Sequence, residues 1–183
     1  LRVDTTRESP EDAAERIVAH LLARGHTRIA HMGYDTAFMF ARQRHEGYEK
    51  ALRGAGITPV PALNVTAQGL DFNDGAQALQ ALWSRLPEGE RPTALFAVSD
   101  TLAIGALRHA RSIGLSVPGD LALVGFDDID FAAETDPPLT TVRQPMDEMG
   151  YQAAKLLVQR LQGRSTHVTS LVLKHQLQVR SST

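Results

Sequence analysis

Cysteine is absent from this 183-residue chain, and charge of neither sign dominates. The lack of cysteine excludes disulfide scaffolds, thiolate zinc sites and thiol nucleophiles, and it is compatible with a cytoplasmic protein. The 19 Lys and Arg residues are balanced by 21 Asp and Glu residues, for a net charge of −2. A nucleic-acid-binding module usually carries a basic surface, so we expect no direct contact between this chain and DNA.

Long apolar runs are also missing. No stretch approaches the roughly 18 apolar residues of a membrane-spanning helix, so we expect no membrane partner. Residues 1–4 show neither an initiator Met nor the basic-then-apolar order of a signal peptide. We therefore interpret the chain as a piece of a longer protein.

The entry motifs of three enzyme classes do not occur. No G-x-G-x-x-G follows a predicted strand, and neither G-x-x-x-x-G-K-[ST] nor G-x-S-x-G is present. Dinucleotide binding, P-loop hydrolysis and α/β-hydrolase chemistry therefore lack their signatures. His20, His26 and His31 lack metal-ligand spacing. The sequence predicts no enzyme, no cofactor and no metal.

Short apolar runs alternate with amphipathic segments along most of the chain. Apolar residues make up 43% of it, which is enough to build one globular core. We predict helices that begin at Pro10, with a left-handed exit at Gly25, and over 42–55, 71–86 and 100–113, and strands over 28–33, 63–66, 94–98 and 121–126. This alternation predicts an α/β fold with a doubly wound parallel sheet in three α/β/α layers.

The pattern changes after Phe126. Residues 127–130 leave the strand as a turn, and Pro137 and Pro138 force an extended or turned backbone before a strand over 139–142. A last helix is predicted over 146–161, followed by two short strands over 171–174 and 177–180. We interpret this region as a hinge.

Polar side chains follow the predicted strands, where open α/β sheets bind their ligands. Ser99 and Asp100 could offer donors to a ligand or could simply cap the next helix. Asp127 and Asp128, with Asp130, favour the recognition of ligand hydroxyls over a magnesium site, and a solvated turn is the alternative. Arg42 and Arg44 could each make a bidentate hydrogen-bonding contact with a polar ligand, or they could lie exposed on a helix.

Several blocks in order along the chain resemble the effector-binding core of the LacI/GalR family of bacterial transcription regulators. They are Gly25-His26-Thr27-Arg28-Ile29-Ala30, Arg44-His45-Glu46-Gly47-Tyr48, Pro92-Thr93-Ala94-Leu95-Phe96-Ala97, Ser99-Asp100, Val117-Pro118-Gly119-Asp120, Val124-Gly125-Phe126-Asp127-Asp128 and Pro138-Leu139-Thr140-Thr141-Val142-Arg143-Gln144-Pro145. These blocks span nearly the whole chain.

The resemblance implies a periplasmic-binding-protein-like core of two similar subdomains, with the ligand in the cleft between them. The whole of residues 1–183 would then be a fragment of one effector-binding domain. Residues 10–140 would form the C-terminal subdomain, and 141–165 a crossover strand and helix that pack on the missing N-terminal subdomain. Residues 166–183 would be return strands. Apolar residues of the last helix would lack their packing partner, so we expect this helix to dock on another chain, to rearrange, or to leave an exposed apolar patch.

The resemblance also implies roles for individual residues. The Arg before Gly-Tyr and the Asp after Val-Gly-Phe contact ligand hydroxyls in such proteins, which points to Arg44 and Asp127. Ser99 with Asp100, and Gln144, occupy further ligand-contact positions. Ser99 stands where Asn is common and offers one donor fewer. Leu70 stands where an aromatic often stacks on the ligand. Phe38 and Phe40 could supply an apolar wall in its place, or either could belong to the core.

The function implied is the sensing of a small-molecule effector, such as a sugar, polyol or nucleoside, by a cytoplasmic regulator. Effector binding would change the angle between the subdomains and thereby the affinity for operator DNA. DNA would be bound only through a helix-turn-helix outside this chain, in a homodimeric parent protein. The alternative is a periplasmic sugar-binding protein of a transport system, which shares the fold and the cleft.

Overall fold

A computed structural model describes residues 9–163 and 171–183. The helices are α1 Pro10–Ala23, α2 Met39–Gly54, α3 Phe72–Arg85, α4 Asp100–Ser112, α5 Asp130–Glu134 and α6 Met146–Leu161. The strands are β1 Ile29–Gly33, β2 Asn64–Thr66, β3 Ala94–Ala97, β4 Ala122–Val124, β5 Thr141–Arg143 and β6 Gln176–Gln178. None of the described helices has the length and apolar character that crossing a membrane requires.

The first four strands form one parallel sheet in the order β2-β1-β3-β4. Strand β1 is central and pairs with β2 on one side and with β3 on the other. The order reverses beside β1, because the chain first adds β2 on one side and then returns to place β3 and β4 on the other. Such a switch point opens a crevice at the carboxyl ends of the strands.

Two apolar cores cover the two faces of this sheet, which gives the three predicted layers. On one face, α1 and α2 pack through Ile17 and Tyr48 onto Ile29 and Phe96. On the other face, α3 and α4 cover the residues of β1 and β3 that point the opposite way. Strand β3 is fully buried, as its almost purely apolar sequence predicts for a strand covered on both sides. The predicted α/β fold is confirmed.

Polar side chains set the starts of three helices. Ser9 and Asp71 each accept a hydrogen bond from the third residue of the helix and complete a capping box with the carboxylate there. The Ser99 hydroxyl caps α4 by accepting from the backbone N–H of Leu102 at 3.3 Å. These side chains satisfy amides that a helix leaves without backbone partners, so the helix starts follow from the sequence.

The end of the chain returns to the parallel sheet. Strands β5 and β6 pair antiparallel, and residues beside β5 continue the sheet next to β4 through Gly125 N–H to Thr140 C=O and Asp127 N–H to Val142 C=O, both 2.9 Å. The Ser182 hydroxyl donates to the Leu123 carbonyl at 2.6 Å and closes this seam.

Three predicted elements differ from the observed ones. Helix α2 begins at Met39 rather than at residue 42, so the loop after β1 is shorter than expected. The predicted strand over 171–174 is wrong, because those residues have no strand pairing and β6 covers only Gln176–Gln178. The short helix α5 was not predicted, since the Asp-rich segment reads as a turn.

Helix α6 has no buried residue. Its apolar side chains are open to solvent, with Leu157 58% and Leu161 79% exposed. Met149 and Leu156 border a cavity of about 170 Å³ that the helix shares with Leu171 and Leu173. An amphipathic helix normally buries its apolar face, but the described residues leave this face of α6 without cover.

Helices α3 and α4 cross at a contact that only glycine permits. A Cβ added at Gly105 would overlap the backbone carbonyl of Phe72, and one at Gly75 would overlap the carbonyl of Leu102. The two backbones therefore touch directly, and the pair holds one face of the sheet.

We expect Gly105→Ala to destabilise the fold by about 1–3 kcal/mol, because the added methyl must push two packed helices apart. Gly54→Ala is the matched control: Gly54 is also helical, and a Cβ there meets nothing within 4 Å. It should raise stability by roughly 0.5–1 kcal/mol. Urea unfolding of both variants measures the difference, and equal effects would contradict the close contact.

Candidate functional site

Arg44 is the centre of a buried polar cluster at the carboxyl ends of the strands. Helix α2 places it there, and the residue is only 4% exposed. Its Nη1 donates to the Val98 carbonyl at 2.5 Å, and its Nη2 donates to Asp127 Oδ1 at 3.2 Å. The guanidinium carbon lies 3.6 Å from the centre of the Phe126 ring. The Arg44 guanidinium is thus held in a fixed position by the Phe126 ring, the Asp127 carboxylate and the Val98 carbonyl.

Asp127 and Gln144 complete this cluster. The Gln144 amide donates to Asp127 Oδ1 at 2.6 Å, so one carboxylate oxygen receives both Gln144 and Arg44. The Asp127 side chain remains 31% exposed, whereas that of Arg44 is 5% exposed. Burial raises the pKa of Asp127, and the nearby Arg44 charge and the Gln144 hydrogen bond act in the opposite direction. The exposed part of this carboxylate is an acceptor presented to the outside.

The backbone at Asp127 and Asp128 is strained. Their φ angles are 118° and 56°, in the region that side chains other than glycine seldom adopt. The consequence is that successive carboxylates turn to different partners. Asp128 accepts from Arg143 Nε at 2.5 Å and from Arg180 Nη2 at 2.6 Å, and its side chain is only 3% exposed. Strain of this kind clusters at functional sites and persists where surrounding contacts enforce it.

This arrangement bears on the alternatives for the Asp-rich segment. The carboxylates of Asp127 and Asp128 face arginines of different elements, and exposed Asp130 starts α5. Across residues 9–163 and 171–183, no group of three or more His, Asp or Glu side chains is placed to hold a metal ion. The segment is thus neither a simple solvated turn nor a shared carboxylate cluster.

Asp100 and Ser99 lie next to the cluster but face inward. Asp100 is fully buried, accepts from the Thr141 hydroxyl at 2.5 Å and from the Ile129 amide at 3.0 Å, and leaves no room for a side chain at Gly125. Burial raises the pKa of Asp100 to about 6, against the effect of these hydrogen bonds. Ser99 caps α4. In this structure Asp100 fastens the loop that carries Asp127, since its carboxylate accepts from the Ile129 amide and its own amide donates to the Phe126 carbonyl at 2.7 Å.

Three aromatic rings stand beside Arg44. Tyr34 and Phe40 stack with centroids 6.3 Å apart, and Phe38 lies 5.4 Å from Tyr34 and 6.0 Å from Phe40. Tyr34 and Phe40 pack on the core, whereas Phe38 is 49% exposed. Phe40 also lies 5.3 Å from the Arg44 guanidinium carbon. Leu70, just before the cap of α3, is 41% exposed and carries no ring.

Sequence reasoning missed the partners that hold the polar side chains. Phe126 and Thr141 belong to blocks of the resemblance, and Arg180 lies near the end of the chain. Nothing in their spacing shows that they hold Arg44, Asp100 and Asp128. It also missed a pair of histidines. His45 Nδ1 lies 3.3 Å from His31 Nδ1, and His31 stacks on Tyr48 with centroids 5.0 Å apart. The pair is invisible in sequence because it joins β1 to α2.

Comparison with known protein families supports the same architecture. Residues 18–183 match the family model of the periplasmic binding protein-like domain. The chain therefore belongs to the periplasmic-binding-protein-like domain family. It covers the effector-binding part of the regulators in this family.

Curated relatives and solved structures specify this further. The chain is 39% identical over 171 residues to the HTH-type transcriptional repressor CytR of Escherichia coli strain K12. The matched region covers 93% of this chain and 49% of CytR. It is 38% identical to the HTH-type transcriptional regulator CelR of Thermobifida fusca, over 88% of this chain and 46% of CelR. The chain thus spans about half the length of the curated relatives it matches.

Two solved structures are similar along the whole described fold. One is the transcriptional regulator CelR in complex with cellobiose, with a TM-score of 0.90 and 34% identity, covering 100% of this chain and 56% of that one. The other is a LacI-family regulatory protein from Chloroflexus aggregans, with a TM-score of 0.87 and 33% identity over 94% of this chain and 61% of that one. The resemblance to LacI-family regulators is confirmed.

Protonation of His31 is expected to make the fold sensitive to acid. Burial, and to a smaller extent the nearby His45, lowers the pKa of His31 to about 3, whereas the unfolded chain protonates near 6.5. Between these values the unfolded state binds the proton and the folded state does not, so this contribution to stability falls as the pH falls.

The test compares wild type with His31→Gln, which cannot titrate. The difference in unfolding free energy, wild type minus variant, should decrease by about 3 kcal/mol from pH 7 to pH 4. Above about pH 7 it should be constant, because neither state is then protonated. Urea unfolding across this range measures it, and a difference independent of pH would overturn the assignment.

Proposed function

We propose that this chain is half of the effector-binding domain of a DNA-binding transcription regulator, and that the effector binds at Arg44, Asp127 and Gln144. The observation that carries the proposal is the half-exposed Asp127 carboxylate, which two donors and a strained turn hold at the crevice edge. Its similarity to CytR and CelR over nearly its whole length supports the regulatory role.

The effector class is a sugar or a related polyol or nucleoside. Asp127 accepts hydroxyl donors, and Gln144 keeps an amide beside it that both donates and accepts. Arg44 positions Asp127 through the hydrogen bond from its Nη2. Phe38 offers an exposed ring face to the apolar side of a sugar or base, with Leu70 as a second apolar contact. The CelR structure contains cellobiose, which is a ligand of this class.

Ser99 and Asp100 contribute to the same site in this proposal. The buried Asp100 carboxylate holds the Asp127 loop through the Ile129 amide, and Ser99, which is 8% exposed, caps α4 beside it. Selectivity follows from the buried donors and acceptors, since a ligand that leaves them unpaired is rejected. The domain senses its effector without transforming it.

The second half of the cleft comes from the parent protein. Residues 10–140 form one subdomain, 141–165 cross to the other subdomain and back, and 166–183 return. The uncovered apolar face of α6 supports this division, as does the half-length match to the relatives. Effector binding closes the cleft and shifts a cytoplasmic homodimer between two states with different affinity for operator DNA, which a separate helix-turn-helix binds.

A periplasmic sugar-binding protein is the second candidate, because it has the same fold and a similar cleft. The HTH-type regulators among the relatives favour the first candidate. The coding sequence upstream of residue 1 separates the two. A helix-turn-helix there supports the regulator, and a signal peptide in its place would contradict it.

We expect Gln144→Ala to weaken effector binding by about 10-fold to 100-fold, because it removes one hydrogen-bonding group from a desolvated ionic cluster. Arg44→Ala should abolish binding. Arg42→Ala is the matched control, since Arg42 lies two residues away on α2 and is exposed. The full-length protein is screened by calorimetry against sugars and nucleosides, including cellobiose and ribose.

Thermal unfolding without effector accompanies these titrations. Gln144 is half-buried, so its variant should retain the melting temperature and thereby separate loss of binding from loss of fold. Effector binding unchanged in Gln144→Ala and Arg44→Ala would refute the site. Binding lost equally in Arg42→Ala would show that charge alone is responsible.

The uncovered face of α6 gives a further expectation. The 183-residue chain should bind an apolar fluorescent dye, and Leu157→Glu with Leu161→Glu should remove most of that fluorescence. Val179→Glu is the control, because Val179 is 51% exposed outside α6. The full-length protein should bind little dye, since its other subdomain covers the helix. Strong dye binding by the full-length protein would contradict the proposed packing.

A further inference from the structure

An apolar cavity lies at the edge of the sheet opposite the proposed effector site. Its volume is about 210 Å³. Ile29 at the start of β1 lines it, whereas the effector-side residues follow the end of β1. The five residues of the strand, at about 3.3 Å each, separate the two edges. The cavity and the proposed effector site therefore share no residue.

Aliphatic side chains from separate parts of the chain meet in this cavity. Its apolar lining residues are Ile29, Leu52, Ile57, Val60, Leu63 and Leu86. They come from β1, from α2, from the segment before β2 and from the end of α3. Leu52, Leu63 and Leu86 are buried, Ile57 is half-buried, and Val60 is 48% exposed at the opening. A deep apolar interior with an open mouth results.

The hydroxyl of the buried tyrosine in the cavity wall, Tyr48, is already hydrogen-bonded within the protein. The Tyr48 hydroxyl donates to the Ile29 carbonyl at 2.9 Å, which satisfies both groups internally. An apolar cavity of about 150 Å³ is large enough to bind benzene. A cavity of about 210 Å³ with this lining is large enough for such a molecule.

Rigid backbone forms the mouth of the cavity. Val60 lies between Pro59 and Pro61, whose rings restrict the backbone, and Leu63 N–H donates to the Val60 carbonyl at 2.9 Å. Ile57 N–H donates to the Leu52 carbonyl at 2.9 Å and fixes the opposite wall. A preformed site loses little conformational freedom on binding, which favours occupancy.

We infer that this cavity is a second ligand site, which takes a small, neutral, apolar molecule in the size range from benzene to indole. Exposed Thr27, Arg28, Thr58 and Glu90 border the opening and leave one edge of the molecule close to water. The Arg28 Nε donates to the Arg91 carbonyl at 3.0 Å. Such a ligand has no hydroxyl set for Asp127, so it occupies this site independently of the effector.

The test titrates benzene into full-length protein labelled at Ile, Leu and Val methyl groups. We expect saturable methyl shifts at Ile29, Leu52, Ile57, Leu63 and Leu86, with the α6 methyls unaffected. Val60→Trp, which places a ring at the exposed mouth, should lower the affinity at least fivefold. Ile57→Trp should abolish the saturable shifts. The matched control Ile113→Trp should bind as wild type, because Ile113 is exposed at the end of α4.

Shifts that rise linearly without saturation would overturn the site, as would saturable shifts only at α6. Unchanged affinity in Val60→Trp would also overturn it, and since Val60 is exposed, misfolding does not complicate that result. The outcome is independent of the proposed effector function, which is tested with hydroxylated ligands and with variants at the other edge of the sheet.

Discussion

The turn at Asp127 and Asp128 is the constraint on which the rest of this structure depends. Two adjacent carboxylates leave the sheet in different directions and meet cations from different elements. Asp127 is joined to α2 through Arg44, and Asp128 is joined to the end of the chain through Arg180. Burial makes an unpaired charge costly, so each ion pair ties its elements together at that point.

The same turn organises the polar side chains at the carboxyl edge of the sheet. The parallel sheet places Arg44 and Asp127 at the carboxyl ends of its strands, and Thr141 with Asp100 fastens the loop from below. The crossover that follows supplies Gln144. Helix α6 then leaves the core with an uncovered apolar face. The polar groups of the candidate site are thus held by contacts among the described residues, whereas those residues leave the apolar face of α6 uncovered.

Helix α2 connects the chemistry of both edges of the sheet. Its first half carries Arg44, its middle packs Tyr48 into the core, and its last turn contributes Leu52 to the apolar cavity. Tyr48 also stacks on His31, whose buried ring stays neutral at ordinary pH because burial lowers its pKa. A single helix therefore joins a charged edge, a titratable interior and an apolar cavity, and packing fixes their relative position.

The sequence by itself determined the layers, the parallel strands and the starts of α1, α3 and α4, because apolar periodicity and capping side chains act over a few residues. It misplaced the start of α2, which has no side-chain cap, and it missed α5. It also indicated which edge carries Arg44, Asp127 and Gln144. It misjudged the strand expected over 171–174, where no neighbouring strand provides partners. Only the tertiary structure decided the direction of each carboxylate and the pairing of His31 with His45. Those contacts join residues up to 83 positions apart, and folding alone brings them within hydrogen-bonding distance.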